Sequence, residues 1–276
     1  MKAQTGRKVL LYTLTAFAVL VIFTGTACAC GSRHETGIIV AGSTSVQPYA
    51  EVLAEDYALL FPKSEIDVQG GGSSAGITAA ISGTADIGMS SRSLTEKEQG
   101  LWSCEIAKDG LAVIIHPDNP VQNLTLKQVC DIYAARITAW DALGGSKAKI
   151  HIIAREEGSG TRSAFDSLVM GKDEINPKAI VQDSNGAVRQ LVSDDVNSIG
   201  FISLGLVDQT VKALPLDGIS PTRENVINGS YSLYRPFLFV ANSEPAGLAK
   251  QFVDFTLSEE GQRILVHEGL IRGEGR

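Results

Sequence analysis

Three short segments rich in glycine, serine and threonine hold most of the groups with which this chain could do chemistry. They are Ala41-Gly42-Ser43-Thr44-Ser45, Gly70-Gly71-Gly72-Ser73-Ser74-Ala75-Gly76 and Arg155-Glu156-Glu157-Gly158-Ser159-Gly160-Thr161. Each follows a β-prone apolar run (Ile38–Val40, Ile66–Val68, Ile150–Ile153) and leads into an amphipathic stretch. A strand that turns into a helix through small hydroxyl residues leaves open backbone N–H groups at the helix start. Ser and Thr add donors there, and Gly lets a ligand approach the backbone. The third segment also opens on an arginine, whose guanidinium can grip two oxygens of a tetrahedral anion in a fork. Three such turns in one chain predict a desolvated tetrahedral oxyanion held from several sides.

Each turn also has a plainer reading. Thr44 and Ser45 can donate to a ligand, or Ser45 can simply cap the helix that starts near Pro48; the two roles are compatible. Gly72-Ser73-Ser74-Ala75-Gly76 matches the G-x-S-x-G nucleophile elbow in a strand–turn–helix context. A serine hydrolase with Ser74 as nucleophile and His267 as the late histidine is therefore a competing reading. It leaves the other two turns unexplained, and no HGGG-type oxyanion loop is present. Arg155 can instead pair at the surface with Glu156 or Glu157, a contact worth little. A phosphate-binding P-loop is excluded, because the third turn lacks the G-x-x-x-x-G-K-[ST] frame. Asp86 could accept a ligand proton, but an Asp opening a strand beside turns more often accepts from backbone N–H groups.

The elements that must position these turns alternate between strand-like and helix-like runs, which predicts an α/β fold. A helix with Pro48 at its start buries Tyr49, Val52, Leu53, Tyr57 and Leu60 on one face. Strands are expected at 66–69, 86–89, 110–116, 150–154, 199–202 and 235–240. Further helices are expected at 75–82, 126–134 (with Thr125 and Gln128 spaced as a capping box), 162–170, 187–192, 244–257 and 258–267. Lys2, Arg7 and Lys8 precede an uncharged apolar run from Val9 to Phe23, and small residues lead to Cys28 and Cys30. This is the pattern of a secretory signal over 1–30 ending at a lipid-accepting cysteine, Cys28 or Cys30, with an uncleaved anchor helix as the alternative. The segment carries three of the 24 basic residues and none of the 31 acidic ones, so the exported remainder has a net charge of −10. An acidic chain offers no field for nucleic acid, which excludes that partner. Cys104 and Cys130 remain, either as a disulfide or as two buried thiols, and no His/Cys cluster has metal spacing.

Four motifs in fixed order carry a family resemblance: Ala-Gly-Ser-Thr-Ser-Val-Gln-Pro from Ala41, Gln-Gly-Gly-Gly-Ser-Ser-Ala-Gly-Ile from Gln69, Ala-Asp-Ile-Gly-Met-Ser-Ser-Arg from Ala85, and Arg-Glu-Glu-Gly-Ser-Gly-Thr-Arg from Arg155. From about Gly37 to the last helix the chain resembles the phosphate-binding lipoproteins of ABC uptake systems, the PstS family. The resemblance implies a two-lobed type II periplasmic-binding-protein fold with two interlobe crossing strands and no enzymatic activity or cofactor. Lobe 1 would comprise 36–116 plus 235–276 and lobe 2 117–234, with crossings near Val113–His116 and Arg235–Val240. Such a protein captures inorganic phosphate between its lobes and delivers it to ABC permease subunits, as a monomer held on the extracytoplasmic side by its N-terminal lipid.

Carried over by position, Thr44, Ser45 and Ser73 would bind the anion from one lobe, and Arg155, Ser159, Gly160 and Thr161 from the other. Ser91 stands where many members have an aspartate that accepts the hydrogen of the bound phosphate, and Arg92 beside it would supply charge instead. Glu157 matches an acid that orients Arg155, and Asp86 is a further acid near the site. A binding protein for sulfate or molybdate, the hydrolase using Ser74, and a lipoprotein sensor or adhesin remain as alternatives.

Overall fold

In the computed structural model, residues 37–275 are described; the signal segment 1–30 and the lipid-accepting candidates Cys28 and Cys30 lie outside the described residues. The first half of the chain runs β1 (Gly37–Gly42), α1 (Gln47–Leu60), β2 (Glu65–Gly70), α2 (Ser73–Ser82), β3 (Ile87–Ser90) and β4 (Trp102–Ile115). It continues with α3 (Leu126–Tyr133), β5 (His151–Arg155), α4 (Gly160–Phe165) with a π-helical turn over Asp166–Met170, β6 (Ile180–Gln182), α5 (Asn185–Asp194) and β7 (Ser198–Ser203). The closing elements are β8 (Lys212–Ala213), α6 (Arg223–Ile227), β9 (Tyr234–Ala241), α7 (Gly247–Leu257), α8 (Glu259–His267) and β10 (Ile271–Gly275).

The strands line up in the order β2-β1-β3-β9-β4-β7-β5-β6, with β8 and β10 also on β4. β1 pairs in parallel with β2 and β3, and β5 in parallel with β6 and β7, so the three Gly/Ser/Thr turns all leave the carboxyl ends of parallel strands. Ligands bind at this end of open α/β sheets. β4 joins the two groups. Trp102–Gly110 pairs antiparallel with β9, and Leu111–Ile115 pairs with β7. The change of partner falls at Gly110–Leu111, and β9 meets it at Tyr234–Arg235.

Two larger apolar cores flank that seam. Val40, Leu53, Tyr57, Ile87, Phe237, Phe239, Phe252 and Leu265 fill one. Leu111, Val113, Ile115, Tyr133, Trp140, Phe165, Ile199 and Phe201 fill the other. The intervening Ala112 and Ile114 face a third, smaller cluster with Val188, Val192 and Ile202. The alternation follows from the two-residue period of a strand buried on both faces.

The expected elements form, with shifted ends. The strand expected at 110–116 is the second half of a 14-residue β4, because the polar Ser103, Glu105, Lys108 and Asp109 mask the apolar alternation of the first half. α2 starts at Ser73 rather than Ala75, and the helix expected over 162–170 becomes α-helix and then π-helix. β10 was not expected, since its IRGEG sequence has two glycines and one apolar residue. Cys104 and Cys130 are not bridged to each other; each is buried in a different core. Among the described residues no helix is long and apolar enough to cross a membrane.

Candidate anion-binding cleft

At the end of β1 the backbone is pinned by the Ser43 N–H donating to Met89 O at 3.0 Å. Ser43 Oγ accepts the backbone N–H groups of Ser45 (3.2 Å) and Val46 (3.4 Å), so Ser43 holds the start of α1. Of the two roles open to Ser45, cap or ligand donor, its side chain takes the position of the second and faces the opposite turn. In the second turn Gly72 has φ +91°, strained for any side chain, and its N–H donates to Gly42 O at 2.9 Å. That turn delivers Ser73 to the start of α2, where its hydroxyl accepts the Ser91 N–H at 3.0 Å. Ser91 Oγ accepts from Ser43 Oγ at 2.8 Å and lies 3.3 Å from Ser73 Oγ. All three hydroxyls are buried.

The third turn faces this group. Arg155 ends β5 and is 1% exposed. Its Nε and Nη2 form a fork on Glu156 at 2.9 and 3.0 Å, and the same nitrogens donate to Gln182 O (3.2 Å) and Asp183 O (2.9 Å). Nη2 also donates to Thr44 Oγ1 at 2.9 Å, across the seam. Nη1 has only long contacts, to Thr161 Oγ1 (3.4 Å) and Asn185 Oδ1 (3.5 Å). The guanidinium is therefore locked on one edge and leaves Nη1 the nitrogen best placed to serve an oxyanion. Ser159 Oγ accepts the Arg162 N–H at 3.2 Å and caps α4. A Cβ on Gly160 would collide with Ser73 Oγ and Ser91 Oγ, so only glycine lets the two turns meet.

Three further bonds cross between the turns. Ser45 Oγ and Thr161 Oγ1 lie 2.7 Å apart, the Ser74 N–H donates to Gly158 O at 3.1 Å, and Asn185 Nδ2 donates to Ser45 Oγ at 2.9 Å. The result is a buried cluster of hydroxyls, backbone N–H groups and one guanidinium, in which hydroxyls of both groups bond to one another. A tetrahedral oxyanion can take over those mutual bonds, each hydroxyl rotating its hydrogen toward an anion oxygen.

Thr44, Ser45, Ser73, Ser91, Arg155, Ser159, Gly160 and Thr161 are thus brought together. Arg92 is not: it forms a two-pronged pair with Glu98 at 2.8 and 2.9 Å, which holds the Glu98 carboxyl down at about 2. Asp86 is not either; its carboxylate accepts the Ile39 N–H at 2.9 Å, at the start of β3 and away from the turn that follows Ser90. The acid that orients Arg155 is Glu156, while Glu157 is exposed. Successive residues of a turn point in different directions, and sequence alone gave no means to choose between two adjacent glutamates. Ser74 lies beside Gly158, whereas His267 is exposed and faces Glu268.

Ser43 and Asn185 were missed, and so was the pair behind them. Asp109 accepts from Arg235 Nη2 (2.9 Å) and Ser203 Oγ (2.7 Å), all three buried at the seam. Burial pushes the Asp109 carboxyl up, against the pull of Arg235 and Ser203. The Ser184-Asn185 dipeptide reads as a helix cap, and Ser184 does cap α5, which leaves Asn185 for the cleft.

Two α/β groups of strands joined through β4, with polar turns meeting across the seam, define a periplasmic-binding-protein fold. A family model described as a PBP superfamily domain matches residues 25–260. The chain is 30% identical over 285 residues to the phosphate-binding protein PstS of Bacillus subtilis (strain 168), covering 95% of this chain and 92% of that relative. Among solved structures, a putative phosphate ABC transporter substrate-binding protein with bound phosphate from Clostridium perfringens aligns with TM-score 0.83 and 44% identity, over 86% of this chain and 99% of that one. An ABC-type phosphate transport receptor from Vibrio cholerae aligns with TM-score 0.72 and 41% identity, over 85% and 99%. The chain belongs to the PstS family of the PBP superfamily.

Proposed function

We propose that this protein captures inorganic phosphate in the cleft between its two lobes and passes it to the membrane subunits of an ABC permease, without chemical change to the ligand. The observation that carries this reading is the meeting of the three turns around Arg155, with Ser45, Ser73 and Ser91 on one side and Thr161 and Gly160 on the other. The relatives named for phosphate binding support the choice of anion. We place the anion against Thr44, Ser45, Ser73, Ser91, Arg155, Gly160 and Thr161, with Ser159 ordering the start of α4. We divide the lobes at Gly110–Leu111, where β4 exchanges β9 for β7, and at Leu233–Tyr234, where β9 begins. Export and a lipid on Cys28 or Cys30 would keep the protein beside its permease, as a monomer.

One observation favours a broader oxyanion range. Glu156 and Asp109 both turn their oxygens to arginines, Glu157 and Asp183 are exposed, and the Ser91 hydroxyl stands in the cluster itself. Without a carboxylate acceptor, the hydrogen of monohydrogen phosphate gains less than it would from a charged partner, and sulfate meets less repulsion. Calorimetric titration of phosphate into residues 31–276, repeated with sulfate present, tests both points. Saturable binding at one site per chain is expected. Sulfate binding with no phosphate binding would overturn the choice of ligand.

A further inference from the structure

Among the described residues, Asn185 is the one buried amide that touches both the Arg155 guanidinium and a hydroxyl of the opposite lobe. It opens α5, is 1% exposed, and is bonded at each end. Its Oδ1 accepts the backbone N–H of Ser203 at 3.3 Å and lies 3.5 Å from Arg155 Nη1. Neither partner has a lone pair to offer, so the oxygen must be the end that faces them. The amide nitrogen is then forced toward Ser45, where it donates to Oγ at 2.9 Å.

That bond sets the polarity of the hydroxyls in front of it. Ser45 Oγ receives the amide hydrogen, so its own hydrogen is free to point elsewhere. Thr161 Oγ1, 2.7 Å from Ser45 Oγ, faces Arg155 Nη1 at 3.4 Å in the same way. Both hydroxyls have an acceptor site turned to a nitrogen donor behind them. Each is therefore biased to donate forward: one of them to the other in the pair as it stands, and both to an anion placed between the lobes. An alanine at 185 would leave Ser45 free to turn either way, and a carboxylate would demand the Ser45 hydrogen and draw Arg155 to itself.

We infer that Asn185 is a positioning residue that biases the Ser45 hydroxyl to donate toward the cleft and ties the first turn to α5 when the lobes are closed. The inference rests on the phosphate-binding reading of the cleft and adds the group that fixes the direction of its hydroxyls. It also predicts a preference for ligands that present only acceptors to this pair of hydroxyls.

The test compares the parent protein, Asn185→Ala and Asn185→Asp by calorimetric titration with inorganic phosphate between about pH 3.5 and 8, each with a thermal melt. Asn185→Ala should weaken binding about tenfold, by one charge-free hydrogen bond and the lost bias. Asn185→Asp should weaken it at least a hundredfold at pH 8 and recover only as pH falls below about 4, because a carboxyl beside Arg155 stays ionised down to the ordinary aspartate range and donates to Ser45 only once protonated. Dividing the variant's dissociation constant by the parent's at each pH cancels the titration of phosphate itself. A residue that only supports the fold would give a ratio independent of pH and parallel losses in both variants. That result overturns the inference, as does unchanged affinity in Asn185→Ala. Should Asn185→Asp not fold, the alanine variant still decides through its affinity at an intact melt. A parent protein that binds no phosphate defeats the cleft reading and this inference with it, whereas a binding parent with insensitive variants defeats this inference alone.

Discussion

Replacing Arg155 by alanine separates the guanidinium's part in binding from its part in folding. The side chain makes seven hydrogen bonds, and five of them hold it in place: two to Glu156, one each to Gln182 O, Asp183 O and Thr44 Oγ1. Losing it leaves partners that can recover part of the deficit. Glu156 has a side chain 29% exposed and can hydrate, and Gln182 O still accepts the Glu156 N–H at 3.1 Å. The stability loss should therefore be about 1–3 kcal/mol. The anion, in contrast, loses its charged donor in a buried site, which costs on the order of 2–5 kcal/mol. At about 1.4 kcal/mol per tenfold, phosphate affinity should fall between roughly thirtyfold and several thousandfold. Calorimetry on the variant, with a melt recorded without ligand, reads the two effects separately. Affinity within threefold of the parent on a folded variant would refute the reasoning, since no arrangement of the cleft around Arg155 would then matter to the ligand. Arg155→Lys should fall between the two, because it keeps the charge and loses the fork.

Three further outcomes follow from the same geometry. Gly160→Ala places a methyl group on Ser73 Oγ and Ser91 Oγ, so it should hold the lobes apart at a cost of about 1–3 kcal/mol in phosphate affinity, measured by titration, with the melt of the ligand-free protein little changed. Ser91→Asp puts a carboxylate among the hydroxyls; the ratio of phosphate to sulfate affinity should rise at least tenfold, read by competition titration, as the acceptor rewards the ligand that carries a hydrogen. Arg92 serves Glu98 rather than the cleft, so Arg92→Ala should leave phosphate affinity within about threefold of the parent. The Glu98 carboxyl is lowered from 4.5 to about 2 in the folded protein. The stability due to this pair is thus fully present above pH 4.5 and lost as pH falls toward 2. Melting curves of parent and Arg92→Ala should differ most near neutral pH and converge in acid.

The sequence made the anion cleft legible because its parts are local: a strand, a turn of small hydroxyl residues, a helix. Each turn can be read within about ten residues of chain, and the parallel pairing of β1 with β3 and of β5 with β7 then brings them to one end of the sheets. What sequence did not supply was direction. Ser43 and Ser45 are two residues apart, yet one accepts the backbone N–H of Val46 just ahead of α1 and the other faces Thr161. Glu156 and Glu157 are adjacent, yet only the first meets Arg155. Asp86 and Ser91 flank the same short strand, yet lie at its opposite ends. Asn185 and the Asp109–Arg235 pair depend on contacts between segments 18 to 140 residues apart, which no local pattern encodes. β4 changes partner at Gly110–Leu111, inside a continuous strand that carries no local mark of the change.

The central claim is that one tetrahedral anion is held by both lobes at once, and a crystal structure of the mature protein grown with inorganic phosphate tests it most directly. The phosphate should lie between the first and third turns, with oxygens at about 2.6–3.1 Å from Arg155 Nη1 and from Ser45 Oγ and Thr161 Oγ1, and with those two hydroxyls no longer bonded to each other. Phosphate bound elsewhere, or touching the residues of one lobe only while the Ser45–Thr161 bond stays intact, would contradict the account.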